Sequence, residues 1–127
     1  MPQNADLQTV FEKLKSIFKP YEKKLIVTKD IATDYELDTP FVMKNKHRVY
    51  FGGVRVGRAY VSFHLMPVYA SAELIKGMSP DLKKRMQGKS CFNFKTVDAK
   101  LFQELAGLTK AGFKIFTDPK FLEKITR

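Results

Sequence analysis

Residues 48–72, RVYFGGVRVGRAYVSFHLMPVYASA, constrain this chain more than any other stretch. Two runs rich in β-branched and aromatic residues, 49–54 and 59–65, flank Arg55-Val56-Gly57-Arg58. Good strand formers on both sides of a glycine-bearing tetrapeptide spell a β-hairpin. From 59 to 72 no Asp, Glu, Lys or Arg occurs. A strand so free of charge belongs in the middle of a sheet, and this hairpin is expected to form the floor of the fold and of any pocket.

If Val56-Gly57 are the turn residues, Arg55 faces Arg58, Val54 faces Ala59, Gly52 faces Val61 and Tyr50 faces Phe63. Side chains alternate along a strand. One face then carries Tyr50, Val54, Ala59, Val61, Phe63 and Leu65, the expected core face, with Phe63 against the first helix. The other carries Phe51, Arg55, Arg58, Tyr60, Ser62 and His64. Aromatics mixed with hydrogen-bond donors suit a ligand cleft or a partner surface, so these six are the candidate ligand-binding residues. The alternative is a sheet face covered by residues 71–87, with no ligand.

The remaining chain supplies helices around this hairpin. Leu7, Val10, Phe11, Leu14, Ile17, Phe18 and Tyr21 follow helical spacing with charged residues between them, an amphipathic helix with one buried stripe. Pro20 ends or kinks it near Lys19. Residues 25–28 and 34–38 read as strands, the second broken by Thr39-Pro40. Pro67 ends the second hairpin strand. Residues 71–76 read as a short helix closed by Gly77. Ser79 caps a further helix, with Pro80 at its first position, running to about Gln87. Residues 91–94 form a strand with Phe92 and Phe94 on one face. Asp98 caps a helix whose buried stripe is Leu101, Phe102, Leu105 and Leu108, ending at Gly112. Residues 113–116 extend it or form a strand, and 119–126 offer a last helical turn or two. Hairpins without regular βα alternation make an α+β domain. The expectation is a single domain over 1–127, with an antiparallel sheet of about five strands and helices mainly on one face.

Charge narrows the partners. The net charge of +10 is uneven: residues 1–47 carry a net of +1, residues 48–97 a net of +7 and residues 98–127 a net of +2. A basic middle segment attracts anions of any kind, from nucleic acid to small carboxylates and phosphates. No recognisable nucleic-acid reading motif accompanies it. No run approaches the roughly 18 apolar residues of a membrane span. One cysteine excludes an internal disulfide, and the first residues lack the pattern of a signal peptide. These features favour a reducing compartment, and a cytoplasmic location is the expectation.

Other chemistries find little support. Gly88-Lys89-Ser90 imitates the end of a phosphate-binding loop, but Lys83 stands where the motif needs glycine. Gly52-Gly53 and Gly57 match no dinucleotide fingerprint; they fit a bulge or a close backbone approach. Cys91 and His64 would make a nucleophile and base only if their strands were neighbours, and no third orienting group can be named. A buried thiol and a hydrogen-bonded strand histidine are the simpler reading. His47 and His64 with one cysteine give no zinc spacing. Asp34, Glu36 and Asp38 alternate on one strand face, where a solvated face is preferred to a metal site. No catalytic residue, metal ligand or cofactor is assigned.

The chain resembles the YdhG-like family, a bacterial domain of unknown function. The resemblance runs in order through the helix over 11–20, Asp38-Thr39-Pro40-Phe41, Val49-Tyr50-Phe51, Val61-Ser62-Phe63-His64, and Gly88-Lys89-Ser90-Cys91-Phe92-Asn93-Phe94 followed by a helix. VSFHLMPVY together with GKSCFNF is similar to one subgroup in particular. It covers roughly residues 7–110, and its motifs are structural. It implies an α+β fold and, from members described as frataxin-like iron chaperones, iron delivery. Hard cations call for an oxygen-rich, acidic surface, whereas residues 48–97 are basic, so no iron ligand is carried over.

The sequence therefore points to a small binding or interaction domain without catalysis, taking a small anionic ligand or a protein partner on the sheet face. Nonspecific nucleic-acid binding through residues 48–97 is the alternative, followed by an iron-chaperone-like role. Specific nucleic-acid recognition and membrane insertion are not expected.

Overall fold

The computed structural model describes residues 3–125. Helix α1 (Gln3–Phe18) continues into a 3-10 turn, Lys19–Tyr21, that starts around Pro20. Four strands follow: β1 (Ile26–Ile31), β2 (Asp34–Val42), β3 (Arg48–Val56) and β4 (Val61–Leu65). Three short helices come next, α2 (Met66–Ala70), α3 (Ala72–Lys76) and α4 (Pro80–Lys83), then β5 (Met86–Gln87) and β6 (Cys91–Phe94). Helices α5 (Ala99–Phe116) and α6 (Pro119–Ile125) close the described chain; Thr126, expected in the last turn, lies outside it. All strand pairs are antiparallel, in the order β1-β2-β3-β4-β6-β5. This is the α+β class the sequence predicts, with six strands. No described helix is long and apolar enough to cross a membrane.

The core lies between the sheet and α1 with α5. Phe63 is fully buried and stacks on Phe18 of α1, ring centroids 4.8 Å apart and planes within 11°. Phe94 meets Phe102 of α5 edge-on at 4.9 Å. Both predicted caps form: Ser79 Oγ accepts from Leu82 N–H at 3.2 Å, and an Asp98 carboxylate oxygen accepts from Leu101 N–H at 3.1 Å. Such caps satisfy backbone donors left open at helix starts. Residues 71–87 do not cover the opposite sheet face, because α3 and α4 pack against α5. That face is open.

Several boundaries differ from expectation. Residues 66–70 coil into α2 directly after β4, because Pro67 suits a first helical turn as well as it ends a strand. The helix at Ser79 stops at Lys83, and Met86-Gln87 pairs with β6 instead. Gly88, at φ +79°, supplies the left-handed residue of that hairpin turn. Thr39-Pro40 does not break β2. Pairing with β1 ends at Asp38, and the register with β3 skips from Asp38 to Val42, so Pro40 sits where no ladder bond is needed. Gly112 does not end α5. A Cβ there would lie 2.8 Å from Pro67, so the glycine lets the helix cross α2 closely.

The central hairpin also differs. Its last pair is Val56 with Val61, and its loop is Gly57-Arg58-Ala59-Tyr60, closed by Gly57 N–H to Tyr60 O at 2.8 Å. Arg55 therefore faces Ser62, Val54 faces Phe63 and Gly52 faces Leu65. The register moves by an even number of residues, so β4 keeps its expected faces. In β3 Val54 and Arg55 keep theirs, but a bulge reverses the faces on the Arg48 side: Leu37 pairs with Gly52 but Asp38 with Tyr50, leaving Phe51 as the extra residue. Phe51 is fully buried against Phe18, Phe113 and Phe116. Its expected place among the ligand-binding residues is thus overturned, and Tyr50, expected in the core, stands on the open face.

Candidate functional site

One row of residues crosses the whole open face. Lys29 of β1 pairs with Glu36 of β2, Glu36 with Gly53 of β3, Gly53 with His64 of β4, His64 with Cys91 of β6, and Cys91 with Gln87 of β5. A second row runs through Asp34, Arg55, Ser62 and Asn93. Alternation along each strand places these residues outward while Tyr35, Leu37, Val54, Phe63 and Phe92 point into the core.

Gly53 breaks the first row, and Tyr50 fills the gap. A Cβ at Gly53 would lie 2.5 Å from Tyr35 O and 2.8 Å from the Tyr50 hydroxyl. The phenol thus lies across bare backbone and donates to Glu36 Oε1 at 3.3 Å. Burial, then the Glu36 carboxylate, holds the Tyr50 hydroxyl well above the ordinary phenol range. The result is a cleft of about 450 Å³ lined in part by Lys29, Glu36, Tyr50, Gly53, Arg55 and His64.

The three acids of β2 share the open face, and each is engaged: Asp34 with Arg55 at 3.5 Å, Glu36 with Tyr50, and Asp38 with Arg48 at 3.4 Å. Among the described residues, no cluster of three or more His, Cys, Asp or Glu side chains is placed to hold a metal ion. Two cations, Lys29 and Arg55, balance two carboxylates, Asp34 and Glu36, in the cleft lining. Among the described residues, Lys29 enters no ion pair.

His64 and Cys91 are direct cross-strand neighbours, with Nε2 and Sγ 3.5 Å apart. Burial pushes the thiol above its ordinary value, against a weaker lowering by a Ser62 hydrogen bond. Burial also holds the imidazole below its ordinary value; Glu36 opposes this shift and Arg55 reinforces it. Both groups therefore favour their neutral forms. The pair is a neutral thiol beside a neutral imidazole, with burial outweighing what would favour a thiolate.

The six residues expected to share one site are dispersed. Arg55 and His64 line the cleft. Ser62 lies beside it and donates to Asn93 Oδ1 at 2.9 Å. Arg58 lies at the hairpin end, lining a separate depression with Gln8 and Thr33. Tyr60 lines a third hollow near β5 and β6. Phe51 is in the core. Lys29, Glu36, Tyr50 and Gly53 were not expected in the site. Strand alternation in 34–38 carries the signal for Glu36, but the bulge hides Tyr50.

No family model, curated protein or solved structure matches this chain.

Proposed function

We propose that the protein is a small non-catalytic binding domain that holds a polar small molecule in the open-face cleft. The observation carrying this reading is the Tyr50–Glu36 bridge over Gly53, which leaves a pre-shaped hollow with opposed charges on its walls. Preformed concavities with a few convergent polar groups are the usual form of small-ligand sites. Lys29 and Arg55 suit the ligand's anionic group, while Glu36 suits a donor or cation at its other end. An amino-acid-like zwitterion meets both demands better than a simple anion.

Membership in the YdhG-like family and a cytoplasmic location belong to the same proposal, supported by motif order and by the single, half-buried cysteine. Iron delivery is less favoured, because Asp34, Glu36 and Asp38 are each engaged by a neighbour. The test is an amide-shift titration with free amino acids and simple carboxylates. Saturable shifts should centre on Gly53, His64 and Cys91 and weaken in Lys29→Ala. Shifts scattered over the surface, or none at millimolar ligand, would reject the reading.

A further inference from the structure

A second hollow lies at the opposite edge of the open face, formed by Tyr60, Lys84, Arg85, Met86, Gln87, Asn93 and Lys95. Three of these residues are cations and none is a carboxylate. Among the described residues, none of the three cations enters an ion pair. All three are exposed, and the partly exposed Tyr60 lies among them. Lys84 caps the end of α4, and Arg85 leads into β5. The Arg85 carbonyl accepts from Asn93 N–H at 2.9 Å, which ties that segment to β6. Arg85 is thus carried on backbone fixed to the sheet, with Lys84 next to it and Lys95 following the last residue of β6. Asn93 spends its side chain on Ser62 and Gln87.

From this we infer that the hollow binds single-stranded nucleic acid with little sequence preference, Tyr60 stacking on a base while Lys84, Arg85 and Lys95 neutralise the flanking phosphates. An aromatic platform within a positive groove is the physical basis of such binding, because every base offers a π-face and every nucleotide a charge. Duplex fits less well, since its base faces are already stacked. The remaining role for these charges is protection: lysines on a short edge strand discourage pairing with other chains. That role gives Tyr60 nothing to do.

The test is fluorescence anisotropy with labelled oligothymidylate twelve nucleotides long, matching duplex, and inorganic polyphosphate as competitor. Single strand should bind more tightly than duplex. Three neutralised phosphates predict a log–log salt slope of about −2, hence roughly a 20-fold loss between 50 and 200 mM salt. Tyr60→Leu should weaken binding about fivefold or more, and Tyr60→Phe should restore it. The exposed pair Lys84→Glu with Lys95→Glu should weaken it by at least about tenfold. No binding at 50 mM salt would overturn the inference. So would equal affinity for duplex, or indifference to both Tyr60 variants with full displacement by polyphosphate, which would mark charge alone. Circular dichroism of each variant establishes that it is folded before its affinity is read.

Discussion

The two faces of β4 and β6 share one backbone and differ only in phase. Inward, Val61, Phe63, Leu65, Phe92 and Phe94 are at most 2% exposed and lock the sheet to the helices. Outward, Ser62, His64, Cys91 and Asn93 are only partly buried and contact one another instead of a helix. The inner face carries the stability, because removing apolar surface from water is the main driving force of folding. The outer face is held in place by that stability while contributing little to it. This leaves its polar groups available to a ligand.

The strongest way to break the comparison is Phe63→Ala. The loss of packing against Phe18 and Phe92 should cost about 3–5 kcal/mol, read by chemical denaturation. His64→Ala, one residue away, should cost under about 1 kcal/mol. Equal costs would mean that the faces are not divided as described.

Gly53→Ala comes next, as the one outer-face change with a large expected effect. Its Cβ has no room beside Tyr35 O and the Tyr50 hydroxyl. Overpacking there should cost about 1–3 kcal/mol and displace Tyr50 from Glu36. A neutral variant would show that the phenol does not rest on bare backbone. Tyr50→Phe should cost less, about 0.5–1.5 kcal/mol for the lost hydrogen bond.

A smaller effect concerns pH. Because the folded state holds His64 below its ordinary value of 6.5, the unfolded chain binds that proton more readily. The stability due to neutral His64 is full above that value and is lost as pH falls through the folded-state value. Melting temperature should therefore drop from pH 7 to pH 5, and His64→Gln should show a shallower drop. Identical profiles would mean that partial burial does not hold His64 neutral.

The smallest signal concerns Cys91. A thiol held neutral beside a neutral imidazole should react slowly with a thiol reagent in the native protein and quickly in denaturant. Fast native labelling with a low apparent pKa would instead indicate a reactive thiol and revive an enzymatic reading of the outer face.

By itself the sequence determined the α+β class, the first helix, the caps at Ser79 and Asp98, and the inner face of β4. These are local matters: hydrophobic period, capping chemistry and strand alternation are written within a few neighbouring residues. The tertiary structure decided the rest. A bulge at Phe51 exchanged the places of Tyr50 and Phe51, because the register with β2, not the alternation within β3, fixes which way each side chain points. Helix α2 formed where packing against α5 held five residues that have no helical period of their own. The cleft required residues from four strands, Lys29, Glu36, Gly53 and His64, to fall into one row. Cross-strand pairing sets that row by summing turn lengths and bulges along the chain, and the neighbours of a single residue do not encode that sum.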